Sequence, residues 1–117
     1  MDGFSNECEV FAINIDELIV NKKYDELKTY ILQIEGYAET HDVQEFAPIF
    51  YYLGTAKGVL ADQQLKYNNS KIDDEYLKLR KESFYYLRKS IDMIESVDEK
   101  HPLLLSVYTN YANGFYN

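Results

Sequence analysis

The run Phe50-Tyr51-Tyr52-Leu53-Gly54-Thr55-Ala56-Lys57 returns, altered but in step, as Tyr108-Thr109-Asn110-Tyr111-Ala112-Asn113-Gly114-Phe115. In each copy an aromatic is followed three residues later by a large apolar residue and then at once by Gly or Ala. Such spacing gives a helix one bulky face and one very small contact point, where a neighbouring helix can come close. Recurrence in fixed phase marks a repeat architecture, whose units bury their apolar faces on one another. No strand-like alternation competes with it along the chain. The expected fold class is all-α.

Apolar spacing of three and four predicts about five helices. The first runs from about Glu7 to Val20, opened by Asn6 and Glu9 at capping-box spacing, with Val10, Phe11, Ile15, Leu18 and Ile19 as its stripe. Asn21-Lys22-Lys23 interrupts it. The second, from about Tyr24 to Thr40, presents Tyr24, Leu27, Ile31, Ile34 and Ala38. Gly36 lies off that stripe, where it either admits a close neighbour or ends the helix early. Asp42 and Glu45 form another capping box, and Pro48 then fits only an opening turn, so the third helix starts near Glu45. It carries Phe46, Ile49, Phe50, Leu53, Ala56 and Leu60.

Lys66 to Lys71, with its paired asparagines, reads as the central loop. The fourth helix, from about Asp73 to Val97, has Tyr76, Leu77, Leu79, Phe84, Leu87, Ile91 and Ile94 as its apolar face. After a charged turn, Pro102 opens a last helix that runs to Asn117. The organisation expected is one domain, with helix pairs over about 7–40 and 45–97, an unpaired last helix over about 102–117, and more chain beyond it.

At this level the chain resembles the tetratricopeptide repeat, an antiparallel helix pair with W-x2-L-G-x2-Y in its first helix and A-x3-F in its second. Phe50, Leu53 and Gly54 match the first part, with Lys57 standing where an aromatic is usual. Ser83, Leu87 and Ser90 match the second, with serines for alanines, and Tyr108, Tyr111, Ala112 and Phe115 match the next first helix. Phe11, Ile15 and Leu18, then Tyr24, Leu27, Ile31 and Ile34, fit a more degenerate copy. Gly54 and Ala112 lie 58 residues apart. The family period is 34, so the middle pair would carry an insertion of about 24 residues.

The resemblance implies antiparallel hairpins stacked as a right-handed superhelix with a peptide-binding inner surface. Similar segments stand in front of HEPN-type nuclease domains in toxin and phage-defence proteins, although the Arg-x(4–6)-His motif of those nucleases does not follow Arg80 or Arg88. His101-Pro102 and the Leu-rich run after it also resemble a late helix of the 14-3-3 phosphopeptide-binding proteins. Arg80 and Arg88 alone do not make the arginine cluster that those proteins use.

Composition narrows the function classes. A net charge of −8 and scattered basic residues weigh against direct nucleic-acid binding, which relies on clustered Lys and Arg. No apolar run is long enough to span a bilayer, and the acidic start lacks a signal-peptide profile. With Cys8 as its single cysteine, the chain suits a reducing cytoplasm. His41 and His101 stand alone, and Asp73-Asp74-Glu75 at a helix start is accounted for by the helix dipole. Nucleophile elbow, phosphate loop, paired cysteines and His-Glu-x-x-His are all missing from the sequence, so neither a catalytic set, a metal nor another cofactor is expected.

The expected function is a non-catalytic protein–protein interaction module, a groove-binding scaffold or sensor segment of a larger cytoplasmic protein that binds protein or peptide. The alternative is a small acidic regulator or inhibitor that masks a basic or nucleic-acid-binding partner. In the family's register the inner surface includes Ala12, Asp16, Tyr51, Thr55, Ser106, Thr109, Asn110 and Asn113. Tyr51, Thr55, Asn110 and Asn113 are the candidate contacts, since amides pair with an extended backbone and tyrosine adds stacking area. Val107, Tyr108, Tyr111 and Phe115 cover more than one side of the last helix, which makes them an interface candidate, either for further chain or for a homodimer.

Overall fold

The computed structural model describes residues 6–40 and 47–97, together with Leu105 and Thr109. Among the described residues there are four helices and no strand: α1 Asn6–Val20, α2 Tyr24–Glu39, α3 Ala47–Tyr67 and α4 Asp74–Val97. Leu105 and Thr109 are also helical. The rest of the expected fifth helix lies outside the described residues, as do the Asp42–Glu45 box, Phe46, both histidines and Pro102.

Backbone hydrogen bonds, more than propensity, fix where these helices stop. At the end of α1 the N–H of Lys23 donates to the Leu18 carbonyl at 2.9 Å and that of Lys22 to Ile19 at 3.1 Å. Lys22 occupies the left-handed region at φ 57°. Together these form the Schellman closure that usually recruits glycine. The end of α3 repeats it, with Ser70 donating to Leu65 at 2.8 Å, Asn69 to Lys66 at 3.2 Å, and Asn69 at φ 54°.

The start of α4 is organised by Asp73. Its Oδ1 accepts from the Tyr76 N–H at 2.8 Å, while Oδ2 accepts from Nε2 of Gln64 at 2.8 Å and from Nδ2 of Asn68. One carboxylate thereby caps α4 and ties it to the last turn of α3. The Tyr76 N–H first, and the Gln64 amide next, hold this carboxyl below its usual range. The resulting stabilisation is present above about pH 4 and is lost as pH falls through the lowered value.

The core is assembled from Ile15 of α1, Leu27, Ile31 and Ile34 of α2, Ile49, Leu53, Ala56 and Leu60 of α3, and Tyr76 and Leu79 of α4. Burying each of the large aliphatics contributes about 1.5–3 kcal/mol before chain entropy is set against it. Between α1 and α2, Phe11 meets Tyr30 and Tyr37 edge-on at 6.2 and 5.4 Å, and Asn14 donates to the Tyr30 hydroxyl at 2.8 Å. Antiparallel helices α3 and α4 share the most extensive interface, and α1 and α2 each also pack on α3. At Gly54, α3 and α4 are in tight contact. A Cβ built there would lie 2.7 Å from Cγ of Leu87 and 3.0 Å from the Ser83 carbonyl, and the Ser83 hydroxyl donates to the Gly54 carbonyl at 2.7 Å.

Three expectations need correction. Val10 and Leu77, assigned to apolar stripes, are each 54% exposed, because they fall at the edges of the apolar arcs, beyond the reach of the neighbouring helix. Gly36 neither ends α2 nor admits a neighbour: the helix continues to Glu39, and a Cβ at Gly36 would meet nothing within 4 Å. A glycine with open space in a helix interior only weakens the helix. Gly36→Ala is therefore expected to stabilise the domain by about 1 kcal/mol, read as a rise in the urea midpoint with unchanged slope. Ala12, expected on the inner surface, is instead buried.

Candidate functional site

Helices α2 and α4 both lie on α3 but have no Cα atoms within 8 Å of each other. The gap between them is a groove floored by Leu60 of α3 and Leu79 of α4. Its wider part is a cleft of about 630 Å³ bounded by Tyr24, Asp25 and Lys28 of α2 and by Gln63, Gln64, Lys66 and Tyr67 of α3. A narrower extension of about 140 Å³ continues past Leu32 and Lys28 on one side and Glu75, Lys78 and Glu82 on the other. Leu32 and Tyr67 stand at its rims, 68% and 83% exposed.

A polar network closes the narrow end. Lys57 rises from α3, 9% exposed, with its ammonium 3.2 Å from Oε2 of Glu82 on α4 and 4.0 Å from Oε1 of Glu35 on α2. The nearer contact with Glu82 dominates the pairing. The Tyr86 hydroxyl of α4 donates to Glu35, so the two helices that do not touch are joined through side chains. Behind the network, the Tyr86 ring stacks on Phe50 at 5.9 Å and 17°, and the Lys89 ammonium sits 4.6 Å over the Phe50 ring. Nothing in the sequence distinguishes Lys57 from a surface lysine except its place on an apolar stripe.

Burial, and then the carboxylate of Glu35, push the Tyr86 hydroxyl well above the ordinary tyrosine range. A group whose proton is held more tightly in the folded state stabilises that state below its unfolded value, about pH 10, and this is lost as pH rises beyond it. Stability should therefore fall as pH rises above about 10, and less steeply in Tyr86→Phe. Urea unfolding of both proteins between about pH 8 and 11 checks this; parallel profiles would mean that Tyr86 is not the group responsible.

Of the residues expected to bind, the two that the structure describes line neither part of this groove. Tyr51 and Thr55 lie on α3 on the side opposite Lys57, Leu60 and Gln64, about half a turn around the helix axis. Both are half-buried and in contact with other groups, and the Tyr51 ring meets that of Tyr52 edge-on at 5.0 Å. Asn110 and Asn113, and the interface candidates Val107, Tyr108, Tyr111 and Phe115, lie outside the described residues. Thr109 is exposed, its hydroxyl donating to the Leu105 carbonyl at 2.8 Å. Among the described residues no three His, Cys, Asp or Glu side chains converge closely enough to hold a metal ion, and no helix is long and apolar enough to cross a membrane. The sequence matches no protein-family model, and comparison with curated proteins and with solved structures returns no match.

Proposed function

We propose that this chain is a non-catalytic, tetratricopeptide-like protein-binding module, a scaffold or sensor segment of a larger cytoplasmic protein, and that the groove between α2 and α4 receives the partner. The observation that carries the reading is the groove itself: concave, floored by leucines, rimmed by exposed Leu32 and Tyr67, and held open by a side-chain bridge. A concave surface that sets polar and charged groups around an apolar floor can both seat and orient a partner segment. The hairpin arrangement supports the family-like reading, since α1 packs on α2 and on α3, and α2 packs on α3, in the order expected of stacked hairpins.

Selection of peptides from a display library against the purified chain tests the function. Leu32→Asp and Tyr67→Ser, both at exposed positions and so near-neutral for folding, should weaken the selected peptides by about tenfold, an effect of about 1.4 kcal/mol. Peptides that ignore both changes but respond to Thr55→Glu would move the site to the Tyr51–Thr55 side. Binding that disappears as salt rises, whatever the groove variant, would support the acidic regulator instead. Pairing of two copies through Val107, Tyr108, Tyr111 and Phe115 is a separate proposal, for which sedimentation equilibrium is the test.

A further inference from the structure

Six described residues of α1 are exposed: Glu9, Val10, Ile13, Asp16, Glu17 and Val20. On an ideal helix they occupy one arc of about 120°. Half are β-branched aliphatics, with Val10 54%, Ile13 58% and Val20 77% exposed. The other half are carboxylates, and none of the ion pairs among the described residues uses them. This face carries no cation, whereas the exposed residues of α2 and α4 mix lysines or arginine with their acids.

Neither local nor tertiary structure accounts for the aliphatics. β-Branched side chains lower helix propensity, so an exposed position gains nothing from them locally. In the tertiary structure α1 packs on α2 and α3 through Ala12, Ile15 and their neighbours on the other side of the helix.

The charge decides which occupant fits. A second copy presenting the same face would bring like carboxylates together with no cation between them, which is repulsive at short range. An anionic lipid surface is repelled for the same reason. A wholly apolar partner would strip water from three carboxylates without replacing it. A helix with an apolar stripe flanked by Lys and Arg satisfies both halves of the face at once. We propose that the outer face of α1 docks a basic amphipathic helix of a partner protein, with Val10, Ile13 and Val20 as the apolar seat and Glu9, Asp16 and Glu17 as the charged rim. The site and its probe are separate from the α2–α4 groove.

The probe is a synthetic amphipathic peptide of Leu and Lys, about 18 residues long so as to hold a helix, compared with a Leu/Gln peptide that has the same apolar stripe. Binding is followed by fluorescence anisotropy and mapped by amide chemical shifts. The Leu/Lys peptide should shift amides along Val10–Val20. The double variant Ile13→Asn, Val20→Asn keeps every charge and should weaken it about tenfold. Glu9→Gln with Glu17→Gln should weaken it in a salt-dependent way, while Glu26→Gln on α2 should not. The proposal is overturned if the apolar double variant binds like the parent, if the shifts centre elsewhere, or if the Leu/Gln peptide binds equally well. It is also overturned if the parent sediments as a dimer that Ile13→Asn dissolves. Leu32→Asp and Tyr67→Ser should leave this binding unchanged, so failure of the groove reading and failure of this one are distinguishable.

Discussion

Gly54→Leu is expected to destabilise the domain by about 3 kcal/mol or more, at or beyond the upper end of ordinary overpacking. The first added atom already lies 2.7 Å from Cγ of Leu87 and 3.0 Å from the Ser83 carbonyl, one a branch point and the other backbone, so neither can swing aside cheaply. Relief requires α3 and α4 to separate, which also stretches the buried Ser83–Gly54 hydrogen bond. A comparison among glycines isolates this cause. Each Gly→Ala change gains helix propensity of about 1 kcal/mol, so the remainder reports the space available. Gly36 has open space and should gain; Gly58, whose added Cβ would lie 3.2 Å from the Ser83 hydroxyl that bonds the Gly54 carbonyl, should fall between the two; Gly54 should lose. Urea denaturation of the three alanine variants, with Gly54→Leu beside them, reads the order directly. A change below about 0.5 kcal/mol in Gly54→Leu, the range of surface substitutions, would remove Gly54 from the helix contact.

Lys57→Ala should cost about 2–3 kcal/mol. This lies below the 3–5 kcal/mol of a fully buried pair, because Glu35 and Glu82 keep 23% and 33% of their side-chain surface in water. Removing the ammonium leaves two carboxylates at the narrow end of the groove without their ion-pair partner, and leaves a void beneath them. Lys57→Met combined with Glu35→Gln and Glu82→Gln fills the void and removes the charges together, so it should return most of the loss. Equilibrium unfolding of the single and triple variants distinguishes the network from plain packing. Equal stability of Lys57→Ala and the parent would mean that the Lys57 ion pairs with Glu35 and Glu82 add nothing.

Particular residues show how far the sequence could be read. Gly54 was legible because a small residue directly after the large apolar of an aromatic-x-x-apolar stripe has few roles besides close approach. Ile49, Phe50, Leu53, Ala56 and Leu60 were legible for the same periodic reason, and all are buried. Val10 and Leu77 were misplaced because periodicity locates the centre of an apolar arc better than its edges, and neighbouring helices set the edges. Lys57 was legible as an oddity on an apolar stripe but its role was not, since its partners Glu35 and Glu82 belong to other helices and only the packing brings them together. The groove was invisible for a related reason: it exists because two helices on one floor fail to meet, a property of no single segment.

The unequal sharing of contact between the helices implies a hierarchy of opening. Helices α3 and α4 share by far the most extensive interface and are pinned at one end by Asp73, whereas α1 and α2 are held to each other and to α3 by much smaller contacts. Amide protons of α3 and α4 should therefore exchange only through global unfolding. Those of α1 and α2 should exchange through an earlier, cheaper event that detaches the first hairpin as a unit. Native-state hydrogen exchange would resolve the two classes by their different dependence on added denaturant. Both the groove and the outer face of α1 include parts of that more easily detached hairpin, so a partner held at either place would slow exchange in residues it never touches.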